Sequence, residues 1–215
     1  MPKLLHHVTQ RGNHRVDVFF DDEDRSFFLK QLVHYTTKAG VSVVSYCLMT
    51  NHTHLLLVPL DETGLAKALK PLHMGYSQHL NYRFSRTGLN WQGRFFSAPL
   101  DARHTINAFR YVAENPVRAG MVTRPEDYAW SSAKSHITGE ASPFLTAPDK
   151  WRQKASDALI KSGCDTLSLR QCEEFRRSTL MNLPIGDPEF ISGLERMTGR
   201  NLSIRKRGRP SKKEG

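Results

Sequence analysis

The chain has 215 residues, which is more than one domain usually needs, so we expect one principal domain with an extension. Hydrophobic residues make up 39% and charged residues 24%, which excludes a wholly disordered chain. No apolar run approaches the roughly 18 residues of a membrane helix. The 31 Lys and Arg residues outnumber 21 Asp and Glu residues, and the net charge of +10 favours a polyanionic partner.

The excess charge is concentrated at the carboxyl end. Residues 201–215 contain six basic residues and one acidic residue. Within them, the run Arg205-Lys206-Arg207-Gly208-Arg209-Pro210 is similar to an AT-hook core, in which arginines lie in a narrow minor groove. A generic basic tail is the alternative. Either one predicts added affinity for DNA that falls with salt, and a segment that is disordered until it meets a partner.

Periodicity and turn residues predict an alternation of strands and helices through the first half of the chain. In order, these are a strand or ribbon from Leu4 to Phe20 interrupted at Gly12-Asn13, a helix from Asp21–Asp24 to Gly40, strands Val41 to Met49 and His54 to Val58, a helix over 62–84 that Pro71 threatens to kink, a strand from Trp91 to Leu100, and a helix from Thr105 to Asn115 stopped by Pro116. This order predicts an α+β fold, a ferredoxin-like antiparallel sheet with helices on one face.

The pattern of residues along the sequence changes near residue 140. The run ASPFLTAPDKW is typical of a linker, and helical patterns follow near 149–162, near 167–182 and between Asp187 and Gly199. We therefore expect a principal domain over 1–140, a helical C-terminal extension over 141–200 and a basic tail over 201–215.

The cysteines and the amino-terminal residues indicate where in the cell the protein is expected. Cys47, Cys164 and Cys172 are an odd number without metal-type spacing, which favours reduced thiols. The opening residues contain no apolar stretch typical of a signal peptide. We therefore expect a cytoplasmic protein, associated with the nucleoid through its charge.

Two histidines form the clearest local feature. Side chains alternate along a strand, so His52 and His54 point to one face and Thr53 to the other. Both imidazoles can then reach a single divalent ion, although ordinary hydrogen-bonded histidines would give the same pattern. The apolar residues 55–58 that follow indicate a central strand. Two adjacent polar rings are unusual in such a strand, which favours a functional role for them.

A second feature lies in the helix before Pro116. Tyr111 and Asn115 are four residues apart and share a helix face, while Ile106, Phe109 and Ala113 form a separate stripe for the core. Packing in the core is therefore not needed to explain Tyr111, which leaves it available for a functional role. The alternative is an ordinary tyrosine on the surface.

Arginines and aromatic residues are interleaved over residues 81–110, where Asp101 is the single acid. Arginines can meet phosphates, and aromatic rings can stack on unpaired bases, although some of these rings must pack in the core. The arginines are Arg83, Arg86, Arg94, Arg103 and Arg110, and the aromatic residues are Tyr82, Phe84, Trp91, Phe95 and Phe96.

Five segments in order resemble one family. They read HHVTQRGN, MTNHTHLLL, NYRFSRTGLNWQGRF, FRYVAENPVRAGMV and YAWSSAKSH, and they span roughly residues 5–136. This order resembles the REP-associated tyrosine transposases, a branch of the single-tyrosine HUH transposases that act on single-stranded DNA. Two departures are Thr53, where a bulky hydrophobic residue is usual, and Thr50, where proline is frequent.

The resemblance implies an HUH endonuclease fold and a metal-dependent activity. It implies that His52, His54 and Asn115 hold Mg²⁺ or Mn²⁺, and that Tyr111 is the nucleophile that cuts and rejoins DNA at REP-type hairpins through a 5′-phosphotyrosine intermediate. A site with two imidazoles and one neutral oxygen is expected to bind the ion weakly and together with DNA. Thr9, Arg11 and Asn13 match a family motif, so we expect them to meet DNA near the cut.

Two other activities would fit the same residues. One is a DNA-binding regulator of REP elements that no longer cuts, and the other is a metallohydrolase in which His52 and His54 activate water, with Tyr111 dispensable. Single-tyrosine transposases can be dimers that exchange the tyrosine helix. The segment 137–200 would cover the dimerisation edge, which favours a monomer.

Overall fold

The computed structural model describes residues 1–160 and 167–203. Cys164 and the predicted minor-groove residues Arg205, Arg207 and Arg209 lie outside the described residues. The strands are β1 (Leu5–Arg11), β2 (Val41–Leu48), β3 (His52–Pro59) and β4 (Phe96–Leu100). The helices are α1 (Asp22–Lys38), α2 (Gly64–Arg83), α3 (His104–Ala113), α4 (Asn115–Arg118), α5 (Ala133–Thr138), α6 (Asp149–Ile160), α7 (Leu169–Leu180) and α8 (Pro188–Thr198).

The four strands form one antiparallel sheet in the order β2-β3-β1-β4. This confirms the predicted α+β class and ferredoxin-like sheet. The register places Arg11 opposite His52 and Thr9 opposite His54, so the ends of β1 and β3 meet side by side.

Helices cover both faces of the sheet, so the prediction that they lie on one face is wrong. Helices α1 and α2 pack on one face, in a core that includes Leu55 and Leu57. Helices α3, α6 and α7 pack on the other face, in a core that includes Leu56 and Phe109. The physical reason lies in β3, whose three consecutive leucines point alternately to the two faces and are all fully buried.

The predicted boundaries hold for α1 and α2 and fail for the strand from Trp91. Asp21 caps α1 by accepting from the Asp24 N–H, and the chain turns at Gly40 with a φ of 63°. Helix α2 continues past Pro71 without a break. The predicted strand from Trp91 is shorter, because Trp91 forms only an isolated bridge and its buried indole N–H donates to the His73 carbonyl.

The sequence predicted that a helix ends at Pro116, whereas in the structure Pro116 lies in the first turn of a new helix. Helix α3 ends at Ala113, and Asn115 opens the short α4 with Pro116 in its first turn. Proline is favoured there because its missing N–H would have no intrahelical partner.

The C-terminal extension covers both edges of the sheet. The segment predicted as a linker packs along β2, where the N–H groups of Thr146 and Ala147 donate to the Val43 carbonyl. At the other edge, Ile185 forms a parallel bridge with Leu100 of β4. No helix among residues 1–160 and 167–203 has the length and apolarity to cross a membrane.

The last predicted helices are confirmed. Ser168 and Gln171 form a capping box at the start of α7, Asp187 caps α8 through the Phe190 N–H, and Gly199 ends α8. Phe175 is buried on the inner side of α7, which places this helix against β1 and β4.

Candidate active site

A cavity of about 310 Å³ lies on the sheet face that carries α3 and α7. The four residues predicted for catalysis and metal binding, His52, His54, Tyr111 and Asn115, all line it. Strand β3 contributes the two histidines, α3 the tyrosine and the first residue of α4 the asparagine. Residues from separate parts of the sequence thus come together at one point, where the ends of β1 and β3 meet α7.

The two histidines lie on the cavity face of β3, as alternation predicts, and Thr53 is fully buried. Their ring centroids are 4.8 Å apart. Burial, together with the nearby charges of Arg11 and Arg176, lowers the pKa of His52 to about 3. Burial also lowers the pKa of His54 well below its ordinary value. Both imidazoles are therefore neutral at pH 7 and each carries a bare ring nitrogen.

Hydrogen bonds identify the bare nitrogen of His52. The Asn51 amide nitrogen donates to the Arg15 carbonyl at 3.0 Å, so the Asn51 Oδ1 faces His52. Because that oxygen can only accept, His52 donates to it through Nδ1 at 2.7 Å. The Nε2 atom of His52 is therefore the bare one.

His54 and Asn115 also offer groups suited to a cation. The His54 Nε2 atom is buried and has no hydrogen-bond partner within the described part of the chain. The Asn115 amide N–H group donates to the Tyr111 carbonyl at 2.7 Å. The amide oxygen of Asn115 is then the atom that a cation could use. Across residues 1–160 and 167–203, no group of three or more His, Cys, Asp or Glu side chains is placed to hold a metal ion.

Tyr111 is buried, in contrast to the surface position that the sequence left open. It is 5% exposed, and its ring packs against Phe175 at 4.5 Å and edge-on to His54 at 5.5 Å, measured between ring centroids. The Arg118 guanidinium lies 4.9 Å from the ring centroid. Ile106, which the pattern assigned to the core stripe, is 47% exposed. Tyr111 is covered by Phe175 of α7, and helical periodicity in α3 does not predict a contact with such a distant residue.

Electrostatics keep Tyr111 protonated at neutral pH. Burial raises the pKa of Tyr111 above its ordinary value, and the positive charge of Arg118 acts in the opposite direction. Arg176 and Arg11 act as Arg118 does, with smaller effects. The side chain is therefore a phenol until a proton is removed.

The structure brings two of the predicted DNA contacts to the cavity and places the others elsewhere. Thr9 and Arg11 line it. Asn13 lies in the turn after β1, where its N–H donates to the Asn90 carbonyl. Arg94 and Arg103 are exposed to solvent. The remaining three already have partners: Arg83 pairs with Asp21 and Asp24, Arg86 donates to Asn90, and Arg110 donates to the Ala158 carbonyl.

Several residues of the cavity were not predicted as site residues. His7, Arg118, Glu173, Arg176 and Thr179 all line it. Alternation along β1 would have placed His7 on the same face as Thr9, and Arg118 lies within a segment already matched to the family. The three residues of α7 carry no local signal, because they reach the cavity through contacts between distant parts of the chain.

The chain belongs to a known family. The family described as "Transposase IS200 like" matches residues 1–115, which include His52, His54, Tyr111 and Asn115. It is therefore an IS200-like transposase, and the resemblance to the tyrosine transposases is confirmed. No curated protein sequence matches the chain.

Two solved structures are similar to this chain, and the first of them shows the same fold. One is a REP-associated tyrosine transposase bound to a REP hairpin, which is 14% identical, with 69% of this chain and 88% of that chain covered and a TM-score of 0.55. Another is a putative transposase from Deinococcus radiodurans R1, which is 21% identical, with 54% of this chain and 92% of that chain covered and a TM-score of 0.40.

Proposed function

We propose that this transposase is a metal-dependent endonuclease and strand transferase for single-stranded DNA, acting at REP-type hairpins with Tyr111 as the nucleophile. The observation that carries the proposal is the juxtaposition, in one cavity, of Tyr111 with the bare Nε2 atom of His52, the Nε2 atom of His54 and the amide group of Asn115. The His54 Nε2 atom is buried and has no hydrogen-bond partner among the described residues. Membership of the family and the fold shared with a hairpin-bound transposase support the same function.

His52, His54 and Asn115 would hold the metal ion, Mg²⁺ or Mn²⁺. Neutral imidazoles with bare nitrogens suit this role, because a ligand nitrogen must be unprotonated. When bound, the ion supplies Lewis-acid stabilisation of the charge on the phosphoryl oxygens. With one neutral oxygen and two nitrogens from the protein, the affinity for the ion alone is expected to be weak.

Tyr111 would attack the phosphorus of the scissile phosphodiester. A bond forms between the phenolic oxygen and phosphorus, and the bond from phosphorus to the 3′ oxygen breaks. The phenol loses one proton and the departing 3′ oxygen gains one, so a 5′-phosphotyrosine and a free 3′-hydroxyl remain. Attack by a second 3′-hydroxyl reverses the step and rejoins strands without ATP.

Two guanidinium groups, those of Arg11 and Arg176, line the cavity and would meet the phosphates. Arg118 also lines the cavity, but its guanidinium donates to the Glu114 carboxylate and to the Tyr111 carbonyl. The Phe175 ring covers Tyr111 in this conformation.

We also infer a monomer. Residues 146–147 and Ile185 already hydrogen-bond to the two outer strands of the sheet, so neither edge offers a free strand for a second copy.

The test uses single-stranded oligonucleotides that carry a REP-type hairpin and a randomised flanking tetranucleotide, labelled at either end and incubated with Mn²⁺ or with EDTA. We expect the 3′ label to appear on the protein and the 5′ label on a shorter free strand, in the presence of Mn²⁺ only. Two free fragments without an adduct would indicate the metallohydrolase, and binding without cleavage would indicate the regulator. Either result would overturn the proposal.

The two arginines Arg11 and Arg83 allow the DNA path to be tested. Arg11→Gln is expected to weaken DNA binding and to make the slope of log affinity against log salt shallower, by roughly 0.7 for each phosphate of a single strand that Arg11 neutralises in the parent. Arg83→Gln is expected to leave this slope unchanged and to lower stability instead, because its partner Asp24 is a fully buried carboxylate. Fluorescence anisotropy at several salt concentrations and thermal unfolding measure the two effects. An unchanged slope for Arg11→Gln would place the DNA backbone elsewhere.

A further inference from the structure

A buried line of hydrogen bonds runs from α7 to the cavity. The Thr179 Oγ1 atom lies 2.8 Å from the His7 Nδ1 atom, and the His7 Nε2 atom lies 2.9 Å from the His54 Nδ1 atom. Thr179 is fully buried, His7 is 1% exposed and His54 is 5% exposed, so water does not compete for these bonds. Thr179 lies in the C-terminal extension, outside the residues that match the family.

The direction of the first bond follows from the threonine. Its hydroxyl has a single hydrogen, and it donates to the Phe175 carbonyl at 3.0 Å. Both contacts of the hydroxyl are satisfied at once only if its oxygen accepts from His7. The Nδ1 atom of His7 therefore carries the hydrogen, and the Nε2 atom of this neutral ring is bare.

The direction of the second bond follows from the first. A bare His7 Nε2 atom requires the hydrogen on the His54 Nδ1 atom. The two ring planes differ by only 13° and the ring centroids are 5.1 Å apart, which is the geometry of an in-plane N–H···N bond between rings side by side. The His54 Nε2 atom is then left bare, which agrees with its position as one of the buried side-chain atoms that have no hydrogen-bond partner among the described residues.

We propose that Thr179 and His7 are positioning residues that hold His54 in the one tautomer whose Nε2 atom can bind the metal ion. This inference rests on the proposed function for the identity of the ligand at Nε2. Without the hydroxyl, His7 is free to carry its hydrogen on Nε2 and to donate to the His54 Nδ1 atom. The hydrogen of His54 then occupies Nε2 and blocks it. The C-terminal extension would thus set the chemistry of a ligand on β3.

The first measurement is the tautomer itself, in the full chain without metal or DNA. Imidazole ¹⁵N spectra, assigned through the loss of signals in His7→Phe and His54→Phe, are expected to show hydrogen on Nδ1 of both rings. Thr179→Val has nearly the same shape and no hydroxyl, and it is expected to move hydrogen to Nε2 in a measurable fraction of both rings. Identical spectra for Thr179→Val and the parent would overturn the inference.

Two variants separate the hydroxyl from packing. Thr179→Ser keeps the hydroxyl and is expected to restore the parent spectra. Thr36→Val is the matched control, because Thr36 is also fully buried in a helix and donates to a carbonyl four residues earlier. Within the described part of the chain its hydroxyl contacts backbone carbonyls and not a histidine. A tautomer change in Thr36→Val equal to that in Thr179→Val would mean that general loosening is the cause, and would overturn the inference.

The second measurement is the affinity for Mn²⁺ alone, followed by the electron paramagnetic resonance of the free ion. Thr179→Val is expected to bind about 10-fold to 100-fold more weakly, the usual effect of removing a group that orients a ligand. A changed tautomer with unchanged Mn²⁺ affinity would overturn the proposed role. Because the tautomer is read without DNA, failure of strand cleavage would count against the proposed function alone.

Discussion

Replacement of Tyr111 by phenylalanine is expected to abolish the covalent DNA adduct and to lower strand cleavage by at least about 10³-fold, since removing a nucleophile costs this much or more in other enzymes. The ring contacts with Phe175 and His54 use carbon atoms that phenylalanine keeps. The variant should therefore fold, bind DNA and bind Mn²⁺ as the parent does. The measurement is single-turnover cleavage of the 3′-labelled hairpin oligonucleotide, with the adduct resolved on a denaturing gel.

Tyr128→Phe is the matched control for this substitution. Tyr128 is also a buried tyrosine on the same side of the sheet, 7% exposed, and its hydroxyl donates to the Leu48 carbonyl at 2.7 Å. Loss of that bond is expected to cost about 1 kcal/mol of stability and to leave cleavage nearly unchanged. A full adduct yield from Tyr111→Phe would show that another group attacks the DNA.

The parts of the site that were predictable from sequence depend on local geometry. Alternation along β3 places His52 and His54 on one face, and the four-residue spacing places Tyr111 near Asn115; the structure has both pairs in the same cavity. Each of these predictions needs only the period of one strand or helix, and that period is a property of the backbone.

The parts that were not predictable depend on contacts between distant residues. The burial of Tyr111 beneath Phe175 joins α3 to α7, and the bond between His7 and Thr179 joins residues 172 positions apart. The periodicity of a sequence gives no information about such pairs. It shows that one face of a helix or strand is apolar, but not which element packs against that face. The wrong prediction of helices on one face has a different cause, because the run of leucines in β3 is a local signal of a strand that is buried on both faces.

Gly12→Ala is expected to lower the stability of the protein and to disturb the proposed metal site. A Cβ atom at Gly12 would lie 2.2 Å from the Val16 carbonyl oxygen and 2.9 Å from a methyl of Val18, so the turn after β1 has to open. The Gly12 N–H donates to the carbonyl of Asn51, the residue whose side chain holds His52. Overpacking of this kind costs about 1–3 kcal/mol. We expect a lower urea midpoint and weaker binding of Mn²⁺.

Gly75→Ala tests whether the Gly12 effect comes from crowding or from the removal of a glycine. Gly75 lies inside α2, and a Cβ atom there meets nothing within 4 Å. Alanine is better than glycine in a helix interior by about 0.5–1 kcal/mol, so this variant should be more stable than the parent and bind Mn²⁺ equally well. The two substitutions add the same methyl group and should change stability in opposite directions. If Gly12→Ala were as stable as the parent, the turn after β1 would not be the close contact that aligns Asn51 with His52.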